Sequence, residues 1–92
     1  MKTFDLMWLS FSDGDRPEGD RHLGCVIIRA NDIITAVRIA HALGINPGGS
    51  VRAMPIDPER MKMLSFDLPI EKFLRPEEAR DLEKRIADEL DE

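Results

Sequence analysis

The stretch Asn31–Arg52, NDIITAVRIAHALGINPGGSVR, decides the fold. It opens on two residue types that cap helices, Asn31 and Asp32. From Ile33 onward, Ile33, Ile34, Ala36, Val37, Ile39, Ala40 and Leu43 fill a broad apolar arc on a helical wheel. Thr35, Arg38 and His41 occupy the remaining wedge, which is the profile of a helix lying on a sheet. Gly44 stands where a left-handed C-cap belongs, with Ile45 as its hydrophobic contact. Pro47 keeps the helix from resuming. Asn-Pro-Gly-Gly then turns into an alternating run over 50–56, where Arg52, Met54 and Ile56 oppose Val51 and Ala53. Pro55 removes one ladder donor, so this strand is expected to be short or to lie at an edge.

Upstream, residues 22–30, HLGCVIIRA, are rich in β-branched side chains and read as a strand. Residues 3–12, TFDLMWLSFS, read as another. Phe4, Leu6 and Trp8 alternate with Asp5, Met7, Leu9 and Phe11, and both parities turn apolar in the middle, as in a central strand covered on two faces. Between these strands, DGDRPEGDR (Asp13–Arg21) has loop composition and exceeds a tight hairpin turn. Downstream, Asp57-Pro58 starts a helical turn through Met63, and LSFDL (64–68) alternates as a fourth short strand ended by Pro69. Pro76 fits the first turn of a final helix over 76–92. Ala79, Leu82, Ile86 and Leu90 give it a narrow apolar stripe on an otherwise charged surface.

The order β-β-α-β(-β)-α in 92 residues predicts one α+β domain spanning 1–92. Its sheet is expected to be mixed, with three or four strands, covered by one helix and followed by the acidic C-terminal helix. A domain this small buries a modest share of its surface, so a homo-oligomer is expected. The net charge of −5 is concentrated: residues 76–92 carry eight acids and three bases, whereas 1–75 are balanced. Nothing supplies the basic footprint of nucleic-acid binding. No run of eighteen apolar residues suggests a membrane span, and no leader pattern signals secretion. Cys25, the one cysteine, sits in an apolar run and fits a reducing cytoplasm.

Chain direction locates a candidate site. If the first two strands form a hairpin and a helical crossover makes the third parallel to the second, the 13–21 and 44–50 loops share one edge. Arg16, Arg21, His22, His41, Asn46, Gly48, Gly49, Ser50 and Arg52 are expected to gather there, with Trp8 available to stack on a ligand. The glycines follow a helix rather than precede one, so the helix dipole has the wrong sign for a simple phosphate cradle. Gly48-Gly49 therefore reads first as a plain turn; the alternative is a small anion nest of successive amides, with Arg21 and Arg52 offsetting the dipole and holding a carboxylate or phosphate.

Other chemistries are poorly served. Asp13, Asp15, Glu18 and Asp20 lack the spacing of a calcium loop. His22, His41 and Cys25 do not make a zinc set. Ser10, Ser12 and Ser50 have no evident base and orienting acid. The expectation is therefore a protein that is not an enzyme and has no metal or cofactor.

The stretch from Trp8 to Gly49, with WLSF, DRPEG, LG and GINPGG in order, resembles a group of short uncharacterised phage and bacterial proteins. It covers about half of the chain and implies a small accessory protein that acts by binding in a host-cell cytoplasm. The leading expectation is a phage-type counter-defence protein that sequesters a small anionic or nucleotide-type ligand at the 13–21/44–52 edge. The alternative is a protein-interaction module or inhibitor that captures a host protein with its acidic final helix or a sheet edge.

Overall fold

A computed structural model describes residues 5–90 of the chain. The elements are β1 (Leu6–Ser12), β2 (His22–Arg29), α1 (Ile33–Ala42), β3 (Ser50–Ile56), α2 (Pro58–Met61), β4 (Phe73–Leu74) and α3 (Pro76–Leu90). Residues 3 and 4 of the first expected strand, and 91 and 92 of the final helix, lie outside the described residues. No described helix is long and apolar enough to cross a membrane.

The fold is α+β, built on one four-stranded sheet in the order β3-β1-β2-β4. β1 pairs antiparallel with β2 from Leu6↔Arg29 onward, and with β3 from Leu6↔Ile56 to Ser12↔Ser50. Strand β3 therefore runs in the same direction as β2, as the helical crossover requires, but β1 lies between them. The expected mixed sheet thus has antiparallel ladders only, and its parallel contact is the isolated bridge Ile27↔Ile70. The cause is composition: β1 is apolar on both faces, so it takes the central place and hydrogen-bonds along both edges.

The fourth strand also differs from expectation. LSFDL (64–68) forms bends, and the strand is the dipeptide Phe73–Leu74, paired with Val26 and Cys25. Leu64 N–H donates to the Met61 carbonyl at 3.1 Å, and Ser65 N–H donates to Glu89 Oε1 at 2.8 Å, so these amides need no ladder. Alternation here instead places Leu68 against the sheet and Phe66 under the Arg85 guanidinium, 3.8 Å from its ring centre.

Each face of the sheet carries a helix, rather than one face alone. Under α1, Ala36 and Ala40 meet Met7, Leu9, Phe11, Val26 and Ile28. Under α3, Ala79 meets Leu6, Trp8, Cys25, Ile27 and Leu74, with Leu82 and Ile86 half-buried beside them. The alanines let each helix approach the sheet closely, so contact is narrower than the α1 arc, and Ile34 stays 63% exposed. Helix α3 is consequently structural as well as acidic, because removing it would uncover the face formed by Trp8, Cys25 and Ile27.

The caps follow the sequence. Asp32 accepts from Thr35 N at 2.8 Å and from Thr35 Oγ1 at 2.9 Å. Gly44, at φ 73°, closes α1 with Gly44 N→His41 O and Ile45 N→Ala40 O, both 3.0 Å, a Schellman pair. At the start of α3, Glu78 Oε1 reaches back to Arg75 N at 3.1 Å, half of a capping box.

These contacts give the protein an acid limb. The Thr35 amide holds the Asp32 carboxyl below its ordinary range, the Arg75 amide does so for Glu78, and the Ser65 hydroxyl and amide do so for Glu89. A carboxyl depressed in the folded state stabilises above its unfolded pKa and ceases to do so as pH falls through the folded value. Melting temperature is therefore expected to decline as pH drops below about 4. An Asp32→Asn variant should show a shallower decline in the same thermal scans.

Candidate functional site

The two loops meet. The Asp13–Arg21 segment is closed at its neck by Asp13 N→Arg21 O at 2.8 Å. Inside it, Asp15 N donates to Asp13 Oδ1 at 3.0 Å, Arg21 Nε donates to the Arg16 carbonyl at 3.0 Å, and Arg16 Nε lies 3.7 Å from Asp13 Oδ2. The second loop turns where Asn46 Oδ1 accepts from Gly48 N at 2.8 Å. Gly49, at φ 74°, passes so close to β1 that a Cβ there would strike the Ser12 carbonyl and touch the Leu23 side chain.

Between the loops lies a cleft of about 640 Å³. Asp13, Arg16, Gly19, Asp20, His22 and Leu23 form one side, Pro47 and Gly49 another, and the first turn of α3, with Pro76, Glu77 and Arg80, the third. The charges are partly matched internally: Asp13 with Arg16, and Glu77 with Arg75 at 3.4 Å. Arg80 makes no hydrogen bond or ion pair with a described residue.

Of the residues singled out from sequence, Arg16, His22 and Gly49 line this cleft. Arg21 braces the loop behind Arg16. Gly48 and Ser50 flank Gly49, the latter opposite Ser12. Asn46 shapes the turn but lines a separate shallow hollow with Ile45 and Phe73. Trp8 and Arg52 do not join them. They lie on the α3 face of the sheet and line a hollow of about 240 Å³ with Ser10, Ala53, Met54 and Glu83. Trp8 is only 6% exposed and belongs to the core.

Two participants were missed. Arg80 and Glu77 reach the cleft because α3 docks on the sheet with its first turn toward the loops, a tertiary fact. His22, expected at this edge, does line the cleft, and its Nε2 lies 3.3 Å from Ser10 Oγ and 3.4 Å from Cys25 Sγ. The register shift between Phe11 and Ser12, which pairs Ser12 with His22, brings this about. Ser10 thus has a base beside it, although no carboxylate hydrogen-bonds His22 among the described residues. Burial pushes the Cys25 thiol pKa up, so the sulfur stays protonated and serves as packing. Among the described residues, no group of three or more His, Cys, Asp or Glu side chains is placed to hold a metal ion. Comparison with protein-family models, with curated proteins and with solved structures finds no match.

Proposed function

We propose that this chain is a non-catalytic binding protein that sequesters a small anionic, nucleotide-type solute in the loop-end cleft. The observation that carries this reading is the convergence of three chain segments on one polar cavity containing an arginine, Arg80, that pairs with no described residue. Arg80 and the positive end of the α3 dipole supply attraction for an anion, while the Asp13–Arg16 and Arg75–Glu77 pairs hold two of the nearby acids in check. His22, with Nε2 engaged from inside by Ser10 and Cys25, leaves its Nδ1 as the ring nitrogen available to a ligand. Gly49 keeps the wall beside β1 free of side-chain bulk. The resemblance to short phage and bacterial proteins implies a small accessory protein that acts by binding, either by sequestering a small signal or by blocking a host protein.

Calorimetric titration with a panel of nucleoside mono-, di- and triphosphates tests it. At least one member should bind, and Arg80→Ala should weaken it roughly 10- to 100-fold, the worth of a charge-assisted contact. Silence across the panel, or binding indifferent to Arg80→Ala, removes the proposal.

A further inference from the structure

The α3 face of the sheet is covered unevenly. A helix is about 10 Å across and strands lie about 4.8 Å apart, so one helix cannot cover four strands. Helix α3 packs on β2 and β4 and closes over Leu6 and Trp8 of β1, which leaves β3 the open strand of this face. Two cavities lie between β3 and α3. The 240 Å³ hollow shares Trp8, Met54 and Glu83 with a groove of about 560 Å³ that continues past Ile56, Ile86 and Leu90. Both are walled mainly by apolar side chains; Arg52 and Glu83 bring charge to the hollow, and Asp57, Arg60 and Glu83 to the groove.

Two opposite charges line the hollow. Arg52 projects from β3 and Glu83 from α3, and both are exposed. Neither makes a hydrogen bond or ion pair with a described residue, so they lie farther apart than the 4.0 Å of a direct pair. An unmatched cation and an unmatched anion lining one cavity suit a solute that carries both signs. The adjoining groove, with Met54 at 62% exposure, suits an apolar group attached to that solute.

We propose that this hollow and groove form a second binding site, distinct from the loop-end cleft, for a small zwitterion with a large apolar substituent. This is the chemistry of a free aromatic α-amino acid. Its carboxylate meets the Arg52 guanidinium, its ammonium meets Glu83, and its side group lies on Met54 and the edge of Trp8.

The test follows the Trp8 indole N–H by NMR in the ¹⁵N-labelled full chain while L-phenylalanine, L-phenylalaninamide or N-acetyl-L-phenylalanine is added up to about 10 mM. Phenylalanine should give a saturable shift, and each blocked form should bind roughly tenfold more weakly. Arg52→Gln should bind the acid and the amide equally, and Glu83→Gln should bind the free and acetylated amines equally. Arg80→Ala, at the other site, should leave the phenylalanine titration unchanged, so failure here is separable from failure of the nucleotide reading. No shift with phenylalanine, or equal affinity for all three probes in the unaltered protein, overturns the proposal.

Discussion

Gly24→Ala should cost roughly 2–6 kcal/mol of folding stability, the sum of a strained backbone and an overfilled contact. Gly24 has φ 144°, a region that side-chain-bearing residues rarely adopt. A Cβ there would strike the Phe73 ring at Cζ, lie 2.8 Å from Phe73 Cε1 and lie 2.5 Å from the Leu74 carbonyl oxygen. The ring can rotate away, but the carbonyl belongs to the β4 backbone. That strand is held to the sheet by two register pairs, Cys25↔Leu74 and Val26↔Phe73, so pushing it outward releases Leu74 from the core as well. Total stability for a domain of this size is about 5–15 kcal/mol, and the loss is a large share of it. Urea unfolding monitored by far-ultraviolet circular dichroism measures the change directly. Adding Phe73→Ala to Gly24→Ala should recover only part, because the carbonyl contact and the backbone strain remain. A loss under 1 kcal/mol for Gly24→Ala alone would contradict this account.

Much of the frame around Gly24 was legible because it rests on local chemistry. Asp32 and Gly44 bound α1 where capping residues belong, and the β2 and β3 windows follow from β-branched content and alternation. The two-sided apolar character of β1 announced a central strand between two layers. What escaped was decided by distant partners. A two-residue strand has no period to detect, whereas LSFDL has a convincing one that the chain satisfies against α3. Whether β3 lies beside β2 or beyond β1 depends on how far the crossover reaches, which α1 alone does not specify.

The candidate site divides in the same way. Convergence of the 13–21 and 44–50 loops followed from strand direction, which survives the intervening strand. The third wall did not, because Arg80 gains its place only when α3 docks on the second face. Arg52 and Trp8 lie farther along β3 and β1 than the loop-end residues and line the hollow between β3 and α3 instead. With Ser12↔Ser50 and Trp8↔Met54 in register, the even-numbered residues of both strands face α3. Strand alternation carried that information, but only once the ladder register was known.

Trp8→Ala should lower stability by about 3–5 kcal/mol, the usual cost of emptying a large aromatic site in a core. At 6% exposure the indole lies among Leu6, Cys25, Ile27, Leu74 and Ala79, beneath α3 and next to the half-buried Ile86. Its removal leaves a void that β1, hydrogen-bonded along both edges, cannot collapse to fill. Trp8→Phe retains an aromatic ring and should cost clearly less, which makes it the variant for separating packing from recognition. The pair also tests the idea of Trp8 as a stacking platform. A platform must expose a ring face, and its truncation to alanine would spare the urea midpoint while abolishing capture of an aromatic solute. The buried position predicts the reverse order: Trp8→Ala moves the midpoint first, and Trp8→Phe leaves a folded protein in which Arg52 and Glu83 still discriminate between free and blocked phenylalanine. With the tryptophan gone, that measurement follows the Met54 methyl resonance instead of the indole.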